Sequence, residues 1–393
     1  MRGVLWLAFT IGLCSTQFLA QDAGQTNTPP RAEKLRGPMA PDINPAALWD
    51  GRKLAPFHAL DRPKMVKAAE ADFLDDKDYV LGLTEQGESR AYPTRFVWWH
   101  HVINDQIGSG TGGGASTFAV TYCSVCNTGI RYDLKLKGRP IFLDFYGLYN
   151  GVVALCDRET GSAFLQADGR FVTGSLMGEA LRPEALLDTT WGQWKKLHPD
   201  TLVMSPDTPD QKRYSPKDKP EPRGYDKFPA PFFRPSMTRT DKRLPFFEKV
   251  LGVAIPGANP GEGMLRRAYP IQKIKDGGGV LNDDLGGVPV VVLLEPESLT
   301  ATAFKRRLDG RHLEFEVRKL PDGESGIFDK QSGTRWNIEG QGEAGSQKGR
   351  SLERVENHLS QWYGWVAYFP DTSIYGQSDA PRPVDLTVPG STW

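Results

Sequence analysis

Short stretches of alternating apolar and polar residues recur along the chain. Residues 130–136 alternate in this way, and residues 118–122 and 141–145 are short, mostly apolar runs. Such patterns are typical of strands that bury one or both faces. Gly138, Arg139 and Pro140 favour a hairpin turn between two of these runs. We therefore expect a mainly antiparallel β structure.

Two stretches favour short helices instead. Residues 93–103 begin with Pro93, which suits the first position of a helix. Residues 191–197 are long enough for one or two helical turns. The totals of 42 Gly and 30 Pro indicate many turns and short strands rather than long helices. The predicted fold class is α+β, mainly antiparallel β with short helices.

The N-terminus has the pattern of a signal peptide. Arg2 precedes an apolar run over residues 4–13, and Ala20 or Ala23 suits the residue before a cleavage site. We assign residues 1–20 to this signal, so the protein is expected in the periplasm or secreted. No later stretch approaches the ~20 apolar residues of a membrane span. Removal of the signal would take Cys14 with it and leave three cysteines, which cannot all pair within one chain.

The middle of the chain repeats itself. The first-copy segments are Val80-Leu81-Gly82-Leu83, Arg90-Ala91-Tyr92-Pro93, Asn104-Asp105, Gly138, Asp157, Thr160-Gly161, Gly174, Gly178, Leu181, Trp191, Trp194 and Pro199-Asp200-Thr201. Their counterparts, in the same order, are Val250-Leu251-Gly252-Val253, Arg267-Ala268-Tyr269-Pro270, Asn282-Asp283, Gly310, Asp329, Ser332-Gly333, Gly345, Gly349, Leu352, Trp362, Trp365 and Pro370-Asp371-Thr372. Matches in one order over such a length indicate an internal repeat.

The repeat predicts the domain organisation. Unit one spans residues 75–205 and unit two spans residues 245–377, in keeping with two domains for 393 residues. We expect the units to be tandem, structurally similar and related by a pseudo-twofold axis. Residues 21–47 are predicted to be a flexible lead-in, and residues 206–244 a Pro- and Lys-rich connector. Residues 378–393 form a Pro-rich tail.

Charge and motifs exclude several functions. Lys and Arg total 48, and so do Asp and Glu, so nothing indicates binding to nucleic acid or an anionic membrane. The sequence contains no Gly-x-Ser-x-Gly, no His-Glu-x-x-His and no phosphate loop with its Lys. Residues 108–114 are Gly-rich and are interpreted as a flexible loop beside the pair Cys123 and Cys126.

Comparison of the two copies separates residues with a structural role from candidate functional residues. Residues present in both are most simply scaffold: the Asn-Asp pairs and glycines suit turns, and the tryptophans suit core anchors. Aligning Gly138 with Gly310 places Cys123 opposite Glu295 and Cys126 opposite Ser298. Unit two is therefore predicted to be a degenerate scaffold copy without chemistry of its own.

The pair Cys123 and Cys126 allows three interpretations. Two thiolates at this spacing bind a soft metal ion such as copper or zinc. The same pair can cycle between dithiol and disulfide, and both cysteines would then be the catalytic residues of a thiol–disulfide oxidoreductase. The third interpretation is a static disulfide in a non-catalytic binding or structural module. We rank the metal site first, and the sequence indicates no substrate or partner.

A metal site needs further ligands. His100, which has no counterpart in unit two, is the leading third ligand, and His101, His198 and Cys156 also lack counterparts. If the site exists, we expect the His100 imidazole to lie within roughly 4–5 Å of both sulfurs. Asp105 is near enough in sequence to fix the tautomer of His100.

Several of these segments resemble one family. They are Ala91-Tyr92-Pro93, His100, Asn104-Asp105, Tyr122-Cys123-x-x-Cys126, Asp157-Arg158-x-Thr160, Trp191-x-x-Trp194 and His198-Pro199-x-Thr201. Together they resemble the domain of unknown function 3179 family over about residues 40–377. The resemblance implies an exported bacterial protein and no established activity. The chain differs from the family pattern at His101, at Ser124-Val125 and at Cys156.

Overall fold

The computed structural model describes residues 38–53, 57–108, 114–216, 236–257, 263–321 and 323–377. The signal peptide, most of the lead-in and of the Gly-rich loop, the middle of the connector and the tail lie outside these residues. Among the described residues, no helix is both long enough and apolar enough to cross a membrane.

Strands are the main secondary structure of the described residues. The strands of the first half are β1 (Leu48–Asp50), β2 (Leu60–Asp61), β3 (Met65–Lys67), β4 (Tyr79–Glu85), β5 (Glu88–Pro93), β6 (Val102–Ile107), β7 (Ser116–Cys123), β8 (Thr128–Asp133), β9 (Lys135–Leu136), β10 (Arg139–Pro140), β11 (Leu143–Tyr149), β12 (Val152–Asp157), β13 (Ala163–Leu165), β14 (Pro183–Ala185), β15 (Leu187–Thr190) and β16 (Leu202–Met204). The strands of the second half are β17 (Lys249–Pro256), β18 (Met264–Pro270), β19 (Val280–Leu285), β20 (Val288–Glu295), β21 (Thr300–Lys305), β22 (Arg307–Leu308), β23 (Arg311–His312), β24 (Phe315–Lys319), β25 (Ser325–Asp329), β26 (Arg335–Trp336), β27 (Gly342–Ala344), β28 (Glu356–Gln361) and β29 (Ser373–Ile374).

The helices are short. The α-helices are α1 (Thr94–His100), α2 (Trp191–Leu197), α3 (Ile271–Asp276) and α4 (Trp362–Tyr368), and the 3-10 turns are Pro45–Ala47, Ala68–Glu70, Gly174–Leu176 and Gln211–Arg213. Helix α2 has the predicted bounds. Helix α1 is shorter than predicted, because His101 adopts a left-handed conformation (φ 60°) that ends it. Pro93 caps α1 and is not its first residue.

The strands form several small sheets with similar pairing in the two halves. The order β15-β4-β5-β16-β3 in the first half corresponds to β28-β17-β18-β29 in the second. Each sheet has one parallel pair at the corresponding place. Strand β16 runs parallel to β5 in the first half, and β29 runs parallel to β18 in the second. The hairpins β6-β7-β8 and β19-β20-β21 also correspond. The mainly β prediction is confirmed.

The paired tryptophans anchor the core in both halves. Trp194 packs so closely on Gly82 that a Cβ atom there would overlap the indole ring, and Trp365 packs on Gly252 in the same way. The indole nitrogen of Trp194 donates to Thr201 at 2.9 Å. The scaffold role predicted for these tryptophans is confirmed.

The Asn-Asp pairs lie in strands β6 and β19, so their assignment to turns is wrong. The Asn104 amide donates to the Leu143 carbonyl at 3.0 Å and accepts from the Leu143 amide at 3.2 Å. Asn282 makes the same two bonds to Phe315, each 2.8 Å long. These side chains extend the hydrogen bonding of one strand to the next segment of backbone, which is why a turn-favouring residue stands in a strand.

One large core joins the two halves. It contains residues of β7, β11, β12 and β13 together with Trp362, Tyr363 and Trp365 of α4. Cys123 and Cys126 belong to this core. The cysteine pair therefore lies where the second half packs against the first.

Candidate functional site

The cysteine pair lies in the tight turn between β7 and β8. Cys123 is the last residue of β7 and pairs with Thr128, the first residue of β8. Asn127 completes the turn in the left-handed region (φ 57°), which Asn tolerates better than most residues. This geometry brings the two Sγ atoms to 2.8 Å, and the Cys126 thiol donates to Cys123. All three cysteines of the described residues are free.

Helix α4 covers the pair. Cys123 and Cys126 are 0% and 1% exposed. A Cβ atom at Gly364 would lie 3.0 Å from Cys126 Sγ and closer still to its Cβ, so only glycine allows this approach. The Gln361 amide, just before α4, donates to the Cys126 carbonyl at 2.8 Å. The site is closed in this structure.

The two thiols differ in acidity. Burial opposes ionisation of Cys123, but hydrogen bonds from the Cys126 thiol and from the backbone amides of Val153, Cys126 and Val125 outweigh it and lower its pKa. The Val153 amide lies 3.4 Å from the Cys123 sulfur. Burial and the neighbouring Cys123 sulfur raise the pKa of Cys126 well above its ordinary value. Cys123 is therefore the more acidic thiol of the pair, and Cys126 is the one that holds its proton more tightly.

The second half has the same turn without the sulfurs. Glu295 pairs with Thr300 as Cys123 pairs with Thr128, and Leu299 has the left-handed φ (56°) of Asn127. The ungapped alignment of the two copies is confirmed at this turn. Here Ser298 donates to the Glu295 carboxylate through both its amide and its hydroxyl. The backbone of the turn is repeated, whereas the cysteines occur only in the first half.

His100 does not join the cysteine pair. Its Nδ1 lies 3.0 Å from the His58 carbonyl and its Nε2 lies 2.7 Å from the Tyr214 hydroxyl. Within the part of the chain that the structure describes, the ligand atoms of His100 cluster with those of His58 and Asp210 and not with the two sulfurs. This corrects the expectation of one shared site. The end of α1 faces the segments before and after unit one, whereas the turn after β7 faces α4.

Asp105 does not orient His100. Its carboxylate accepts hydrogen bonds from Arg90 at 2.6 Å and from the Tyr92 hydroxyl at 2.7 Å. The second half repeats this arrangement, with Arg267 and Tyr269 on Asp283. The Asp105 cluster is therefore scaffold, and a backbone carbonyl takes the place that was expected for Asp105 beside His100.

His101 and Cys156 are buried apart from the pair. The His101 ring stacks on Phe145, and its Nδ1 lies 3.1 Å from the Tyr122 carbonyl. Burial lowers the pKa of His101 to about 4, so the ring is neutral. The Cys156 sulfur lies 3.7 Å from the Phe145 carbonyl, and burial raises its pKa to about 12. Such a thiol is inert at neutral pH.

His198 links the two halves. Its Nδ1 lies 3.1 Å from the Ser89 hydroxyl, and its Nε2 lies 3.0 Å from the carboxylate of Glu339 in the second half. Both ring nitrogens are occupied by protein groups. His198 therefore acts as a structural residue between β5 and the loop after β26.

One comparison with known proteins finds a match. A family described as "Protein of unknown function (DUF3179)" matches residues 56–372. The chain belongs to this family. The family resemblance inferred from the sequence is thus confirmed, and the description assigns no activity. No curated protein and no solved structure matches the chain.

The sequence analysis did not find the groups that surround His100 or those that surround the cysteine pair. Gly364 lies far from Cys126 in the chain, and no local pattern indicates that α4 covers that turn. His58 and Asp210 are 152 residues apart and meet only in the folded chain. One signal was available: like the cysteines, these two residues lie outside the positions that the two copies share.

Proposed function

We propose that this member of the family is an exported thiol–disulfide oxidoreductase whose catalytic residues are Cys123 and Cys126. The observation that carries the proposal is the pair of buried sulfurs, 2.8 Å apart, with pKa values shifted in opposite directions. A disulfide bond of about 2.05 Å needs the sulfurs to approach by less than about 1 Å. A thiolate beside a resolving thiol is the arrangement that exchange requires.

The exchange follows from the acidity of the two thiols. The Cys123 thiolate attacks one sulfur of an oxidised disulfide partner, forms a mixed disulfide and releases one partner thiolate. Cys126 then loses its proton and attacks the Cys123 sulfur, releasing the second partner thiolate. The partner gains two electrons and two protons, and the Cys123–Cys126 pair becomes a disulfide. Since α4 encloses both sulfurs, the partner reaches them only when α4 moves away from Cys126.

A soft-metal site at the same pair has less support. Zinc held by two thiolates at about 2.3 Å separates them by about 3.8 Å, so a pair 2.8 Å apart would have to open. The expected third ligand, His100, lies in another cluster. Copper or zinc binding by Cys123, Cys126 and His100 is therefore the alternative that the experiment must exclude.

We also propose a pseudo-twofold relation between the two units, in which each unit covers the other's turn. In the first half, Cys126 lies beside Thr128 and has a hydrogen bond with Ser360 of β28. In the second half, Thr300 donates to Thr189 of β15 at 2.7 Å. Ser360 and Thr189 occupy matching strand positions, opposite Val250 and Val80. These reciprocal contacts are what a twofold arrangement requires.

Trapping the mixed disulfide tests the function. The full mature chain carrying Cys126→Ser is incubated with glutathione disulfide, and the adduct is located by mass spectrometry. We expect one glutathione on Cys123, because the resolving thiol is gone. Cys123→Ser should give far less adduct on Cys126, whose thiol is held protonated.

Two controls keep the outcomes distinct. Cys156→Ser should leave the trapping on Cys123 unchanged, because that thiol lies in another part of the core. Metal content is measured on the wild-type protein and on a Cys123→Ser/Cys126→Ser variant. A stoichiometric metal lost with the two cysteines, together with no adduct on Cys123, would replace the redox proposal by the metal site.

A further inference from the structure

We infer that His58, His100 and Asp210 form a binding site for a divalent transition-metal ion such as zinc, separate from the cysteine pair. One ligand atom from each residue lies within 4.8 Å of the others. Two imidazoles and one carboxylate are a ligand set that binds zinc and other first-row divalent ions. The inference does not depend on the proposed redox function.

Three separate segments supply the ligands. His58 lies before β2, His100 is the last residue of α1, and Asp210 precedes the 3-10 turn Gln211–Arg213. His58 Nε2 lies 2.8 Å from an Asp210 carboxylate oxygen, and Arg213 lies 3.2 Å from the other oxygen. Asp210 is thus already oriented by its neighbours, as carboxylate ligands of metals usually are.

The orientation of His100 also suits a ligand. The carbonyl oxygen of His58 can only accept, so the His100 Nδ1 at 3.0 Å carries the proton. Nε2 then keeps its lone pair, which accepts a hydrogen bond from the Tyr214 hydroxyl at 2.7 Å, and a bound ion would take the place of this hydroxyl. A protonated Nδ1 fixed by a backbone carbonyl is the usual support of a metal-binding histidine.

Access and the internal repeat agree with this site. The His58 side chain is 56% exposed, whereas His100 is buried, so the cluster reaches from the surface inward. Unit two has Gly278 where unit one has His100. His58 and Asp210 lie on segments flanking unit one. The cluster is thus absent from the repeated scaffold, as a functional site would be.

A zinc titration tests the inference. The full mature chain carrying Cys123→Ser/Cys126→Ser is stripped of metal and titrated with zinc alone against a chromogenic chelator. We expect one equivalent to bind. In the same background, His58→Ala and Asp210→Asn should each weaken zinc binding by at least about tenfold.

His312→Ala is the matched control. His312 is an exposed histidine in the second half and lies outside the cluster, so its loss should leave zinc affinity unchanged. Because the His58 side chain is more than half exposed, His58→Ala is expected to fold. The inference is overturned if no zinc binds at micromolar free zinc, or if His58→Ala binds zinc as tightly as His312→Ala.

Discussion

The close approach of Gly364 to Cys126 makes this glycine a sensitive test of how the cysteine pair is enclosed. In Gly364→Ala the new Cβ would lie less than 3.0 Å from the Cys126 Cβ and 3.0 Å from its sulfur, whereas ordinary Cβ contacts begin at 3.4 Å. Helix α4 or the turn after β7 must therefore move. We expect α4 to lift away from Cys126.

Two opposing effects set the change in the free energy of unfolding that Gly364→Ala causes. Alanine within a helix is favoured over glycine by about 1 kcal/mol. Overpacking of a filled core costs about 1–3 kcal/mol, and the upper part of this range applies where both contacting groups are held by backbone. The free energy of unfolding should therefore fall by about 1–2 kcal/mol despite the better helix former. Helix propensity alone would change the free energy of unfolding in the opposite direction.

Urea unfolding and thiol labelling together provide the assay. Gly263 has no atom near the position of a Cβ, so Gly263→Ala should change stability by less than about 0.5 kcal/mol. Labelling of Cys126 by iodoacetamide, followed by mass spectrometry, should be faster in Gly364→Ala than in wild type. Equal stability and equal labelling of Gly364→Ala and wild type would refute the idea that α4 encloses the pair.

Two further variants test the rest of the account. His358 is buried, and burial lowers its pKa to about 3. Below about pH 6.5 the unfolded state therefore binds a proton that the folded state does not. Stability falls as the pH is lowered from 6.5 towards 3. The loss of stability attributable to His358 is about 2 kcal/mol between pH 7 and pH 5. His358→Leu, which copies Leu187 at the matching strand position, should remove this loss when urea unfolding is measured at the two pH values. An unchanged pH dependence would contradict this. Glu295→Ala/Ser298→Ala should lower stability by about 1–2 kcal/mol through lost hydrogen bonds but leave disulfide formation at Cys123 intact. Loss of that disulfide in a folded double variant would show that unit two is more than scaffold.

Local pattern predicted much of the fold. The strand over residues 118–122, the hairpin around Gly138 and helix α2 follow from side-chain period and turn residues. The internal repeat predicted matching hairpins, and the register at Thr128 and Thr300 agrees with it. These features depend on residues close together in the chain, which is why sequence alone reveals them.

The geometry of the candidate site was predicted only in part. The spacing of Cys123 and Cys126 already placed them close together, because one turn holds both. The partner proposed for them, His100, was misplaced, because the direction of its ring depends on His58 and Tyr214. Contacts between residues so far apart in the chain depend on how whole elements pack, and the spacing of residues in the sequence does not predict them.

The reduction potential of the Cys123–Cys126 pair tests the central claim most directly. Mature protein is equilibrated in glutathione redox buffers, quenched in acid and alkylated, and the fraction carrying this disulfide is measured by mass spectrometry. A reversible two-electron transition between about −300 and about −120 mV, abolished by Cys126→Ser, is the predicted result. A disulfide that stays oxidised below about −300 mV, or one that never forms under any buffer, would contradict a working thiol–disulfide couple.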